Sequence, residues 1–169
     1  MPLMRAGLLL CVLGVATGCA SAPAPAAAPP QRPCPHSDRP RLSNRGSALH
    51  ARLVPAGATA LELCRYRGLN PPGGFGRLIL SRRVTNAGTV RSLAKGLDAL
   101  PRVPSGAFDC PADDGSQVLA IFGYPRRDPV TIRVKMRGCQ VVTNGVITRW
   151  ATTAAGERLV GRLSRLTAG

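Results

Sequence analysis

Residues 117–136, "QVLAIFGYPRRDPVTIRVKM", decide the fold because they hold two strand patterns joined by a turn. Residues 117–124 form an apolar run, and "YPRRDP" has the proline and aspartate content of a turn. Apolar and polar residues then alternate from Val130 to Met136, which is typical of a strand with one face on a core. The other face of this strand carries Thr131, Arg133, Lys135 and Arg137. We therefore predict an antiparallel sheet in which this strand presents a basic face.

Upstream of this hairpin, the sequence predicts two strands and a helix. The strands are expected over residues 60–67, "ALELCRYR", and 77–84, "RLILSRRV", with the turn-rich "GLNPPGGFG" between them. The helix is expected to have Asn86 as its N-cap and to stop at Pro101. Its apolar face comprises Val90, Leu93, Ala94, Leu97 and Leu100.

Downstream, the pair Asn144-Gly145 lies between "QVVT" and "VITR" and predicts a hairpin with a type I′ turn. Gly138 is expected to bend the preceding strand at Cys139 rather than to end it. Residues 157–166 predict a short helix that turns its aliphatic residues inward: Leu159, Val160, Leu163 and Leu166. The sum is an α+β fold of about five strands in ββαβββα order, an antiparallel sheet with two helices on one face.

The N-terminus has the layout of a secretory signal over residues 1–18. Residues 1–5 carry one positive charge, and the following 13 residues are apolar, which is shorter than a membrane-spanning helix. "ATGC", which ends at Cys19, resembles a bacterial lipobox, in which the cysteine thiol receives a diacylglyceryl group and becomes the first residue. Ala16, the third residue before the cysteine, departs from the Leu or Val that is usual at that position of a lipobox. Ordinary cleavage after Ala22 stays open as an alternative, although Pro23 disfavours it.

Residues 19–45 are rich in alanine and proline and predict an extended tether, followed by a single domain over residues 46–169. Fourteen residues separate Cys19 from Cys34, and at about 3.1 Å per residue they span roughly 40 Å. The chain has a net charge of +15, so it is attracted to polyanions. Because export separates it from DNA, we expect a membrane contact through the lipid and an anionic envelope polymer or phospholipid as partner, and no nucleic acid.

Four cysteines remain in the mature chain: Cys34, Cys64, Cys110 and Cys139. An even number in an exported protein indicates two disulfides, and three pairings are possible. We favour Cys34–Cys64 and Cys110–Cys139, because each closes a loop of about 30 residues without interleaving the halves of the domain. The cysteines lack the close pairs of a zinc site, so we expect no metal.

Few residues offer chemistry for catalysis. His36 and His50 lie in or near the segment rich in proline and arginine, where nothing indicates a rigidly held base. Asp109, Asp113 and Asp114 cluster in "DCPADDGS" and are weak candidates for cation ligands or for a glycosidase acid and base. A turn is the simpler interpretation, since Asp-Gly is a turn former. We assign no catalytic residue and no cofactor.

Basic residues in and after the "YPRRDP" turn are candidates for binding anions. They are Arg126, Arg127, Arg133 and Lys135. A nucleic-acid surface normally interleaves such residues with aromatic ones, and that pattern is missing here. The set therefore indicates a solvated basic surface or a contact with an envelope polyanion.

Four ordered stretches carry a resemblance: "LCRYRGLNPP", "GRLILSRRVT", "LAKGLDALPRVPSGAFDCPADDGS" and "GCQVVTNGVITRW". Together they resemble a family of uncharacterised, exported or lipid-anchored proteins of actinobacteria and related high-GC bacteria, over residues 61–166. The resemblance implies disulfides and export, and it implies no activity. We expect a non-enzymatic envelope lipoprotein on the outer face of the cell membrane. The alternatives are an enzyme acting on wall glycans through Asp113 or Asp114, and a secreted anion-binding protein.

Overall fold

The computed structural model describes residues 32–37, 42, 44–46, 48–69, 76–110 and 112–168. The predicted signal peptide, Cys19, most of the tether and much of the "GLNPPGGFG" turn lie outside these residues. The elements, in chain order, are α1 (Ala48–Ala51), β1 (Ala60–Tyr66), β2 (Leu78–Val84), α2 (Ala87–Asp98), β3 (Gln117–Gly123), β4 (Val130–Lys135), β5 (Val141–Thr143), β6 (Thr148–Trp150) and α3 (Ala154–Leu166).

The strands form one antiparallel six-stranded sheet in the order β2-β1-β3-β4-β5-β6. The α+β class is confirmed, but the described residues form six strands, one more than expected. The reason is Gly138, which has φ 68° and sits in the connection after β4. The left-handed conformation lets the chain reverse there, and β5 pairs back on β4 with Val142 opposite Val134. The expectation that Gly138 only bends a strand was wrong.

The helices α2 and α3 pack on the same face of the sheet, as predicted. Buried residues of both helices join those of β1 in one core: Leu61, Leu63, Val90, Leu93, Leu97, Val160 and Leu163. Asn86 caps α2 by accepting a hydrogen bond from Thr89 N at 2.9 Å. In the middle of α2, a Cβ on Gly96 would come within 3.2 Å of Leu159 Cδ1 in α3. The glycine therefore lets the two helices approach closely, which explains a residue that disfavours helix by about 1 kcal/mol.

The opposite face of the sheet has a smaller core of its own. Cys64, Tyr66, Leu119 and Ile121 are buried there and contact Cys34. The segment 32–37 covers this core, because Cys34 is bonded to Cys64 and Tyr66 Oη donates to Pro35 O at 2.8 Å. The basic face predicted for β4 consequently does not extend across β1 and β3.

Both predicted disulfides are present. Cys34–Cys64 joins the segment before the domain to β1 with a Cα–Cα distance of 5.6 Å. Cys110–Cys139 joins the loop before β3 to the β4–β5 connection, with a Cα–Cα distance of 4.9 Å. The first bridge therefore attaches an irregular segment to the sheet, and the second joins two connecting segments to each other.

The predicted β5–β6 hairpin is present, but its turn is not type I′. That turn needs positive φ at both central residues, whereas only Gly145 of the pair has it, at 86°. The loop instead has four residues, because Thr143 pairs with Thr148. The reason is Asn144, whose buried side chain donates to Leu49 O and Arg52 O, both at 3.1 Å. It thereby joins the hairpin to α1, an element that the sequence patterns did not predict.

Candidate anion-binding site

The β3–β4 turn holds one arginine in a fixed position. The guanidinium carbon of Arg127 lies 4.9 Å from the centroid of the Tyr124 ring, within the range of a cation–π contact. Tyr124 is buried, and its Oη donates to Pro55 O at 2.8 Å. Burial raises the pKa of Tyr124, so its hydroxyl stays a neutral donor. A rigid tyrosine therefore positions the Arg127 charge.

Arg127 shares a surface cavity of about 370 Å³ with Arg32 and Arg45. We call these three residues and the cavity they line the arginine notch. Arg32 belongs to the segment before the first disulfide, and Arg45 to the segment before α1. The latter segment runs close to the turn, because a Cβ on Gly46 would lie 4.0 Å from Arg127 Nη2. Three separate segments of the chain thus contribute one arginine each.

Two structural contacts hold the walls of the notch. Asn44 binds the backbone of β4 in both directions: its Nδ2 donates to Thr131 O at 2.6 Å, and its Oδ1 accepts from Thr131 N at 2.9 Å. The Asn44 side chain therefore pairs with the backbone N–H and C=O of Thr131, which lies nearer the start of β4 than the residues that pair with β5, Arg133 and Val134. Arg32 lies two residues before Cys34, which the bridge to Cys64 attaches to β1.

The notch has an excess of positive charge. Within the described ranges, none of its three arginines forms an ion pair. Asp128 is the one acidic residue among the described residues that line it, so these residues together carry three positive charges and one negative charge, a net +2. Arg32 and Arg45 are exposed and Arg127 is half-buried. Arginines that line one cavity can bind the oxygens of a phosphate or a similar oxyanion through their guanidinium groups.

The four basic residues singled out from the sequence lie in different surroundings. Arg127 lines the notch, and Arg126 is exposed beside it in the same turn. Arg133 and Lys135 lie on β4 and do not line the notch. Lys135 Nζ is 2.7 Å from Asp113 Oδ2, so its charge is partly neutralised. The structure therefore brings Arg127 together with Arg32 and Arg45, which sequence reasoning placed in the tether.

The aspartates of "DCPADDGS" shape the loop in which they lie. Asp113 Oδ1 accepts from Gly115 N at 3.0 Å, and Asp114 Oδ1 accepts from Ser116 N at 2.8 Å. The hydrogen bond from Lys135 lowers the pKa of Asp113. Asp114 Oδ2 lies 3.5 Å from Arg137 Nε.

Asp109, the third aspartate, precedes the Cys110–Cys139 bridge. Across the part of the chain that the structure describes, no group of three or more histidine, cysteine, aspartate or glutamate residues is arranged to hold a metal ion. Asp113 and Asp114 thus act as acceptors for turn amides and as partners of basic side chains.

No family model, curated protein or solved structure matches this chain. None of the helices in the described ranges is both long enough and apolar enough to cross a membrane. What the arginine notch can bind therefore follows from its own charge and geometry.

Proposed function

We propose that this protein is an exported lipoprotein, anchored through Cys19 on the outer face of the cell membrane. We further propose that its domain is a non-enzymatic module which binds phosphate groups of the envelope through the arginine notch. The observation that carries this proposal is that Arg32, Arg45 and Arg127 line one cavity and that none of them forms an ion pair with any residue in the described ranges.

The position of the notch along the chain supports this proposal. Arg32 lies 13 residues after Cys19, so an extended tether between them reaches about 40 Å at 3.1 Å per residue. The notch is thus at the end of the domain where the tether joins it, within reach of the membrane surface. Two disulfides in a domain of this size favour an oxidising compartment outside the cytoplasm.

An enzyme acting on wall glycans has less support. Such an enzyme needs one carboxyl group that is protonated and another that is free to act as base or nucleophile. Asp113 is paired with Lys135, which lowers its pKa and so favours the ionised form. Asp114 holds a turn amide and lies near Arg137. Both carboxylates therefore have structural partners.

The test uses the full chain in neutral detergent micelles. Phosphate is offered in two forms: inorganic polyphosphate in the water, or phosphatidylglycerol mixed into the micelles. Binding is followed by the ¹⁵N–¹H signals of the arginine Nε–H groups. We expect the signals of the notch arginines to shift with at least one form, and the shift to weaken as salt is raised. The form that binds more tightly identifies the source of the phosphate.

Two variants with equal net charge complete the test. The first replaces the notch residues Arg32, Arg45 and Arg127 with Gln, and the control replaces Arg91, Arg158 and Arg165, which are exposed on α2 and α3. The notch variant should bind roughly tenfold more weakly or worse, since exposed ion pairs contribute up to about 1 kcal/mol each. Equal weakening in the two variants would mean that total charge, and not the notch, binds phosphate.

A further inference from the structure

A second cavity, of about 420 Å³, lies between α3 and one end of the sheet. We call it the α3 cavity. The sheet side contributes Arg65 from β1 together with Met136 and Gln140 from the β4–β5 connection. The helix side contributes Glu157, Gly161 and Ser164, which are spaced by four and three residues along α3 and so share one helix face. Cavities of this size hold small organic molecules.

Two buried polar atoms on the sheet side are unsatisfied. Neither Arg65 Nη1 nor Gln140 Oε1 has a hydrogen-bond partner among the described residues. Gln140 Nε2 donates to Met136 O at 3.0 Å, so Oε1 is the end of this amide that lacks a partner. One donor and one acceptor are thus left over beside the same cavity, and buried groups of this kind normally have partners.

The two sides of the cavity carry side chains of opposite charge, Arg65 on the sheet side and Glu157 on the helix side. Burial lowers the pKa of Arg65, so its positive charge is poorly solvated and gains from an anionic partner. Asp114 acts on Arg65 electrostatically, but its carboxylate is already 3.5 Å from Arg137 Nε. Glu157, on the helix side, is exposed and makes no ion pair with any residue in the described ranges. Among the described residues that line it, the cavity therefore has two cations, Arg65 and Arg137, on the sheet side and one anion, Glu157, on the helix side. Arg137 is already near Asp114, so Arg65 is the cation that gains most from a ligand carboxylate.

We propose that the α3 cavity binds a small zwitterion of the amino acid or dipeptide class. The carboxylate of the ligand pairs with Arg65, its ammonium group pairs with Glu157, and an N–H of the ligand donates to Gln140 Oε1. Because Arg65 Nη1 and Gln140 Oε1 are both buried in the structure without ligand, this binding mode requires the ends of these two side chains to rotate into the cavity. Met136 and Val160 supply an apolar surface for a small aliphatic side chain. This site is separate from the arginine notch and shares none of its residues.

The test titrates the full chain with the dipeptide alanyl-alanine by isothermal calorimetry. Two neutralised analogues are compared with it: N-acetyl-alanyl-alanine, which lacks the ammonium group, and alanyl-alaninamide, which lacks the carboxylate. Each should bind at least about tenfold more weakly, since each loses a charge-assisted contact. Glu157→Gln should remove the discrimination against the acetylated analogue and leave the discrimination against the amide.

Gly161 provides a variant that blocks the cavity without altering charge. A Cβ at this position would meet only Arg165 Nη1, at 3.6 Å, which is an ordinary contact. Gly161→Ala is the matched control and should retain binding, whereas Gly161→Leu should abolish it. Both substitutions replace a glycine inside a helix, so neither is expected to unfold α3. The notch variant should bind the dipeptide as well as the unmodified protein does.

Three results would overturn the proposal. The first is no heat of binding with the dipeptide at millimolar concentration. The second is unchanged binding in Gly161→Leu, which would place the dipeptide elsewhere. The third is equal affinity for the dipeptide and its acetylated analogue, which would leave a simple carboxylate site. None of these outcomes depends on whether the arginine notch binds phosphate.

Discussion

Replacing Asn144 with alanine should destabilise the domain more than any other single change in the β5–β6 hairpin. The Asn144 side chain is fully buried. It donates to Leu49 O and Arg52 O at 3.1 Å and accepts from Val146 N and Ile147 N at 2.9 and 2.8 Å. Asn144→Ala removes these four hydrogen bonds and a longer one from Asn144 Nδ2 to Leu53 O at 3.5 Å. At about 1 kcal/mol net for each bond, the free energy of unfolding should fall by roughly 3–4 kcal/mol.

The assay is urea unfolding of the oxidised protein, followed by circular dichroism. A loss of that size is a large fraction of the stability of a small domain, so the midpoint should fall with little change in slope. Val146→Ala is the neighbouring control, because this side chain is 41% exposed and its truncation should change stability by less than about 0.5 kcal/mol. The free energy of unfolding could instead fall by less than about 1 kcal/mol in Asn144→Ala, or by no more than in the control. Either result would refute the role of Asn144 as the link between the hairpin and α1.

Three further perturbations follow from the structure. Gly138→Ala should destabilise by at least about 2 kcal/mol in thermal unfolding, because φ is 68° and the new Cβ would lie 2.5 Å from Asp113 Cβ. Asp113 has a lowered pKa, so it stabilises the fold above its unfolded pKa of 3.8 and loses this contribution as pH falls through the folded value. In Asp113→Asn, the free energy of unfolding should therefore fall less steeply as the pH is lowered from about 7 to 2. An unchanged pH dependence would contradict the pairing of Asp113 with Lys135. Replacing Cys34 and Cys64 with serine should lower the free energy of unfolding in urea by about 3 kcal/mol. It should also weaken phosphate binding, because the segment that carries Arg32 is then no longer bonded to β1. Unaltered phosphate binding would mean that Arg32 does not contribute to the phosphate site.

The parts of the fold that the sequence predicted are those set by local patterns. The period-two alternation of β4, the apolar face of α2 and the Asn86 cap each depend on residues within a few positions. The disulfide pairing followed from loop length and is present as expected. Gly138 was misjudged because a glycine in a strand pattern is compatible with a bend or an end, and only the pairing of β5 with β4 decides between them.

The candidate sites were harder to predict because distant contacts form them. Arg32 and Arg45 lie in a segment whose composition predicts a tether, and nothing local marks them as ligand-binding residues. Their position depends on the Cys34–Cys64 bridge and on the hydrogen bonds of Asn44 with Thr131, which are 87 residues apart in sequence. Asn144 likewise had the pattern of a turn residue, since its partners Leu49 in α1 and Arg52 directly after it lie more than 90 residues away.

The measurement that tests the account most directly is the mass of the protein from the membrane fraction of its own host, before and after reduction. We predict a chain that begins at Cys19 with attached diacylglyceryl. The two disulfides each take up two hydrogens, so the mass should rise by about 4 Da on reduction. A lipid-free chain that begins beyond Cys19 would instead indicate a secreted protein, and an uncleaved chain with free thiols would contradict export and with it the proposed envelope function.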